Sequence, residues 1–261
     1  MIDLSSLAVP PPPPAHEPLL QVRAEYLGQS EPSRWGKSPV EDSDELRRII
    51  ALPARPPPAD PSALAAYMTA QYSNGATQCQ CAKFAPDPCI KCLFEVQAWG
   101  LYEAPLAGGA LYPIGIGHGK TGLDILMPIA MQCRVAVLLV QASLREQFTR
   151  NYDQWRQHFK VPTLAGKWLC PGQPVLHVVS FGVLQVEDGS TLLETLRPDL
   201  IIVDEAHNLA NMMSTRTTRF MRYFERHPET KLCAWSGTIT KRSIKDFAHL
   251  AALALRTQSP L

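Results

Sequence analysis

GIGHGKT, running from Gly115 to Thr121, and LIIVDEAH, running from Leu200 to His207, decide how the rest of the chain is read. A glycine-rich turn ending in Lys-Thr can wrap backbone N–H groups and one ammonium around a polyphosphate. Gly115, Gly117 and Gly119 leave the backbone free to approach the phosphates, Lys120 would reach the β- and γ-phosphates, and Thr121 would ligate magnesium. His118 and Gly122 belong to the same loop and helix start and join the nucleotide-binding set. The acidic stretch supplies the remaining chemistry: Asp204 for magnesium, and Glu205 as general base or water-positioning group. Lys120, Asp204 and Glu205 are therefore the expected catalytic residues, and ATP and Mg2+ the expected ligands. The strict phosphate-loop pattern asks for glycine five residues before Gly119, where this chain has Ile114.

Working outward, apolar runs alternate with helical periodicity. A helix is expected from about Ile90 to about Ala104, a short strand near Leu111, and after the glycine turn a helix cut short by Pro128. Strands follow at Val135 to Val140, Val175 to Val179, Leu200 to Val203 and Leu232 to Trp235, separated by helices near Leu192, through an arginine-rich segment, and up to about Leu255. Strands alternating with helices imply βαβ units, hence an α/β fold on a mostly parallel sheet flanked by helices. VAVLLV and LIIV suit strands buried on both faces. Ser143 and Glu146 have the spacing of a capping box, placing a helix just after the second strand with Leu144, Phe148, Tyr152 and Trp155 as its buried stripe.

Of the 24 prolines, 13 fall in the first 61 residues, including Pro10 to Pro14 and Pro56 to Pro58, so residues 1–60 are expected to be a disordered leader. Asp60-Pro61 reads as an N-cap followed by proline at the first helical position, with Leu64, Tyr67 and Met68 on one face before Asn74-Gly75. That helix and a cysteine-rich element span residues 61–93, and the α/β lobe spans 94–261. Cys79, Cys81, Cys89 and Cys92 offer four thiolates within 14 positions, the number a tetrahedral structural zinc requires; free thiols are the alternative. Such a site would brace the following helix or contact nucleic acid. Cys133, Cys170 and Cys233 lie in or near apolar runs and read as core residues. Seven cysteines without a secretory signal, and no apolar run of membrane-spanning length, point to a cytoplasmic protein.

The motifs together resemble those of the superfamily two helicases and translocases: GIGHGKT, DEAH, and SGT at Ser236, Gly237 and Thr238 stand in that family's order. VLLVQASLREQF, HVVSFGVL, DEAHNLAN and SGTITKRSIKDFAHLAAL are similar to segments of its Swi/Snf-like branch, over roughly Phe94 to Leu255. The resemblance implies a first RecA-like, P-loop NTPase lobe. It implies that Gln97, 23 residues before Lys120, reads adenine, and that His207 senses the γ-phosphate. Ser236, Gly237 and Thr238 would couple ATP state to the nucleic-acid track, and Ser143, Arg145 and Ser180 would contact the strand backbone. It also implies a second RecA-like lobe, from another subunit or from sequence beyond Leu261, for efficient hydrolysis. A non-unwinding, nucleotide-dependent binding module and an inactive gene fragment are the alternatives.

The net charge of +1 gives no global argument for a nucleic-acid partner. Between Ser214 and Arg256, however, nine Lys/Arg stand against three Asp/Glu, and Arg216, Arg219, Arg222 and Arg226 fall at helical spacing. This basic stripe would neutralise phosphates, DNA in preference to RNA, unless it is simply a solvated helix face.

Overall fold

Among the described residues, six strands, all mutually parallel, form one sheet in the order β1-β6-β5-β2-β4-β3. The computed structural model describes residues 59–81, 89–238 and 244–256, all within the unit Pro53–Leu261. The proline-rich leader lies outside the described residues except for Ala59 and Asp60. The strands are β1 (Ala110–Tyr112), β2 (Val135–Val140), β3 (Thr163–Leu164), β4 (Val175–Ser180), β5 (Leu200–Asp204) and β6 (Lys231–Trp235). The helices are α1 (Pro61–Tyr72), α2 (Glu95–Ala107), α3 (Lys120–Ala130), α4 (Arg145–Trp155), α5 (Glu187–Leu196), α6 (Thr215–Arg226) and α7 (Ala248–Leu255).

The central strands bury both faces, as their unbroken apolar runs require. Successive side chains point to opposite sides. Ala136, Leu138 and Val140 of β2, Leu200 and Ile202 of β5, and Cys233 and Trp235 of β6 face one core. Ala65 and Met68 of α1, Ala98 and Leu101 of α2, Leu123 and Leu126 of α3, and Phe148, Tyr152 and Trp155 of α4 close it. Val137, Leu139, Ile201, Val203, Leu232 and Ala234 face the second core, closed by Leu193 of α5, Phe220 and Phe224 of α6, and Leu250 and Ala254 of α7. Each fully buried Leu or Ile contributes about 1.5–3 kcal/mol through water exclusion.

Helix α1 starts as its sequence dictates. The Asp60 carboxylate accepts from the Ala63 N–H at 2.9 Å, and Pro61 occupies a first-turn position where no N–H is needed. Three other helices differ from expectation at their ends. Helix α2 begins at Glu95 rather than Ile90 and runs to Ala107, because the Gln97 side chain accepts the Phe94 N–H and Gly108 ends the helix in the left-handed conformation. Pro128 does not cut α3 short: it sits in the last turn, and the helix reaches Ala130. The Ser143–Glu146 capping box does not form. Ala142–Leu144 make a 3-10 turn, with the Leu144 N–H bonded to the Gln141 carbonyl, and α4 starts only at Arg145 without a side-chain cap. The stripe behind it is buried at Phe148, Tyr152 and Trp155, while Leu144 is half-buried.

Candidate nucleotide site and candidate metal centre

The loop leaving the carboxyl end of β1 and the acidic turn leaving β5 sit at the same end of the sheet, one strand apart, with β6 between them. In parallel α/β sheets this end is where ligands bind. Gly117 and Gly119 have φ of 83° and 79°, a conformation that side chains rarely adopt. Gly119 is also held by contact: its carbonyl accepts from Gln97 Nε2 at 2.7 Å, and a Cβ there would lie 2.3 Å from that nitrogen. Gly122 is similarly confined, since a Cβ would meet the Trp155 ring at 2.5 Å. Ile114, where the strict pattern has glycine, is buried in the core and anchors the loop's root, while Ile116 is exposed. His118 Nδ1 lies 3.1 Å from the Ile116 carbonyl, within the loop itself.

Lys120 opens α3 and places Nζ 2.5 Å from Glu205 Oε1, a contact between residues 85 positions apart. Thr121 follows in the same first turn. Glu205 adopts φ 59°, a strained conformation for a residue with a side chain, and directs its carboxylate at the lysine. Asp204, the last residue of β5, has a buried Oδ1 with no hydrogen-bond partner among the described residues. Burial pushes its carboxyl up to about 6; Lys120 opposes the rise and the Glu205 charge adds to it. Beneath lies a residue that sequence reading missed. Asp124, four positions after Lys120, is buried and accepts from Trp235 Nε1 at 3.1 Å. Burial, then the nearby Asp204 charge, holds the Asp124 carboxyl well above the ordinary range.

His207 joins the acidic turn to the SGT segment. Its Nδ1 lies 3.0 Å from Thr238 Oγ1, 3.1 Å from Ser236 Oγ and 3.2 Å from Glu205 Oε2. Ser236 also donates to Glu205 Oε2 at 3.4 Å. Gly237 lies against the loop, where a Cβ would stand 3.4 Å from the Gly115 Cα. Three motifs scattered over more than 120 positions therefore meet in one hydrogen-bonded cluster.

The expected nucleic-acid residues divide. Ser143 and Arg145 are exposed just beyond β2, and half-buried Ser180 ends the adjacent β4, so the three follow the carboxyl edge of the sheet. The arginine stripe of α6 is mostly committed to the protein itself. Arg216 donates to the Asn208 carbonyl and side chain and stacks 5.4 Å over Phe181; Arg219 donates to the Leu184 carbonyl; Arg226 pairs with Glu194 at 2.7 Å. These bonds tie α6 to the turns beside it and, through Glu194, to α5; Arg222 and Arg226 are the exposed members. Arg216 and Arg219, both expected at a nucleic-acid surface, therefore also have partners within the protein.

Of the four cysteines expected together, three are. Cys79, Cys81 and Cys89 converge with His158, all four ligand atoms within 4.8 Å of one another, and this group can hold a metal ion. Cys92 is exposed and stands outside the group. The fourth member of the group is thus a histidine 66 residues after Cys92, just past α4, which no local spacing signals. No protein-family model and no curated protein matches this chain. Among the described residues, no helix is long and apolar enough to cross a membrane.

Proposed function

We propose that the chain is the ATP-binding, RecA-like lobe of a superfamily two helicase or nucleic-acid translocase. The observation that carries this reading is the meeting of Lys120 with Glu205 and Asp204 at the carboxyl ends of parallel strands, beneath a glycine loop in left-handed conformation. The orphaned Asp204 Oδ1 fits a magnesium ligand, and Thr121, in the first turn of α3, would supply a second. Magnesium, when bound, would neutralise phosphate charge. Glu205 then serves two states of the site. Without nucleotide it neutralises Lys120; when Lys120 turns to the phosphates, the freed carboxylate can orient a water as general base. Ser236 and Thr238, bonded through His207, would relay that release toward the Ser143, Arg145 and Ser180 edge, where a DNA or RNA backbone would lie. Turnover is proposed to need a second lobe supplying a further cation to the phosphates.

Titration calorimetry with ATP and magnesium tests the core of the reading. Wild type is expected to bind, Lys120→Ala to lose at least about tenfold in affinity, and Glu205→Gln to bind at least as tightly as wild type, because its lysine is no longer engaged. Absence of binding by wild type, or unchanged binding by Lys120→Ala, would overturn it. Intramolecular engagement of Arg216 and Arg219 favours one second reading, a nucleotide-dependent binding module that does not move along a strand. In that case DNA and RNA leave ATP turnover unchanged when a second lobe is supplied.

A further inference from the structure

Cys79, Cys81 and Cys89 approach one another from a short segment after α1, and His158 approaches from the far end of α4. Cys79 Sγ lies 3.1 Å from Cys89 Sγ, and Cys81 Sγ lies 3.3 Å from His158 Nε2. The sulfur pair is well beyond the ~2.05 Å of a disulfide. Zinc–sulfur bonds of about 2.3 Å and zinc–nitrogen bonds of about 2.0 Å in a tetrahedron put three sulfurs and one nitrogen roughly 3.5–3.8 Å apart, so small adjustments complete the geometry. Three thiolates and one imidazole favour zinc over the oxygen-seeking cations.

The histidine is held in place independently of any ion. The Asn74 N–H donates to the His158 carbonyl at 3.0 Å, Lys160 N–H donates to the Tyr72 carbonyl at 2.7 Å, and Ser73 pairs with Phe159 as an antiparallel bridge. Trp155, three residues earlier, stacks on Phe159 at 4.7 Å and forms the wall against Gly122. We propose that Cys79, Cys81, Cys89 and His158 form a closed structural zinc site that staples the cysteine-rich segment onto the end of α4, the helix that backs the glycine loop. Binding displaces the three thiol protons and leaves no open coordination position, so the site is structural and not catalytic.

Metal analysis of the full chain purified under reducing conditions tests this, together with zinc retention against a competing chelator and the cobalt(II) spectrum. One zinc per chain is expected, and a cobalt form with tetrahedral, thiolate-rich absorption. Cys92→Ser retains the zinc; Cys81→Ser and His158→Ala weaken retention by more than about tenfold and lower the melting temperature. His158→Cys restores retention, which separates ligation from a general folding defect. Lys120→Ala keeps its zinc, so failure of the nucleotide reading and failure of this one are distinguishable. The proposal is overturned by metal-free wild type, by a Cys79–Cys89 disulfide in protein kept reduced, or by zinc lost in Cys92→Ser and kept in His158→Ala.

Discussion

Gln97 shows how a single side chain can have a structural role at the position where a resemblance expects a ligand contact. The helicase resemblance implies a reader of adenine at this position; the side chain is buried and both ends of the amide have protein partners: Nε2 donates to the Gly119 carbonyl and Oε1 accepts from Phe94 N–H. It fastens the start of α2 to the turn that opens α3. Replacing it with alanine removes both bonds, leaving the Gly119 carbonyl with only the Gly122 N–H and the Phe94 N–H without its side-chain acceptor, a loss of about 1–3 kcal/mol for the two. Gln97→Ala is therefore expected to lower stability in urea denaturation by that amount, and to weaken ATP and GTP binding equally. Unchanged stability with selective loss of ATP would return the residue to adenine recognition. Glycine selection at Gly119 follows from the same contact, since any side chain there would displace the glutamine.

At the scale of the elements, boundaries were legible where burial wrote them. β2 was readable to the residue because a six-residue apolar run flanked by polar residues can satisfy a strand buried on both faces and little else. β3, two residues long at the sheet edge, carried no periodicity and went unread. Caps were legible only in part, because a serine caps a helix when the backbone presents the right N–H groups. Asp60 accepts from Ala63 N–H and Ser214 accepts from Thr217 N–H, whereas Ser143 lies inside a 3-10 turn and is exposed. Asp60→Ala and Ser214→Ala are each expected to cost about 1 kcal/mol, and Ser143→Ala less than about 0.5 kcal/mol, by chemical denaturation. A Ser143→Ala cost equal to the other two would show that the capping box does form.

Across the whole molecule, what sequence reading missed is long-range. Glycine turns and strand-end carboxylates announce themselves locally, but His158 beside Cys81, Trp235 beside Asp124 and Asp199 beside Arg134 become neighbours only when the sheet closes. Asp199 ties three strands at the end of the sheet opposite the candidate nucleotide site. Its carboxylate accepts from the N–H groups of Arg134 at 2.6 Å and Val135 at 3.1 Å, its own N–H donates to the Val135 carbonyl, and its carbonyl accepts from Lys231. Burial pushes the Asp199 carboxyl up, but the Arg134 and Val135 backbone donors and the Arg134 guanidinium outweigh it, and the group titrates below the ordinary range. A depressed carboxylate contributes stability that is fully present above the unfolded value near ~3.9 and is lost as pH falls through the folded value. Asp199→Asn is therefore expected to be less stable than wild type at pH 7 by about 1–3 kcal/mol, from the weakened charge-assisted bonds. The gap should hold down to about pH 5 and narrow progressively below pH ~4 as the wild-type carboxylate protonates. Urea denaturation of both proteins across that range checks it, and a gap independent of pH would show that Asp199 acts through shape and not through charge.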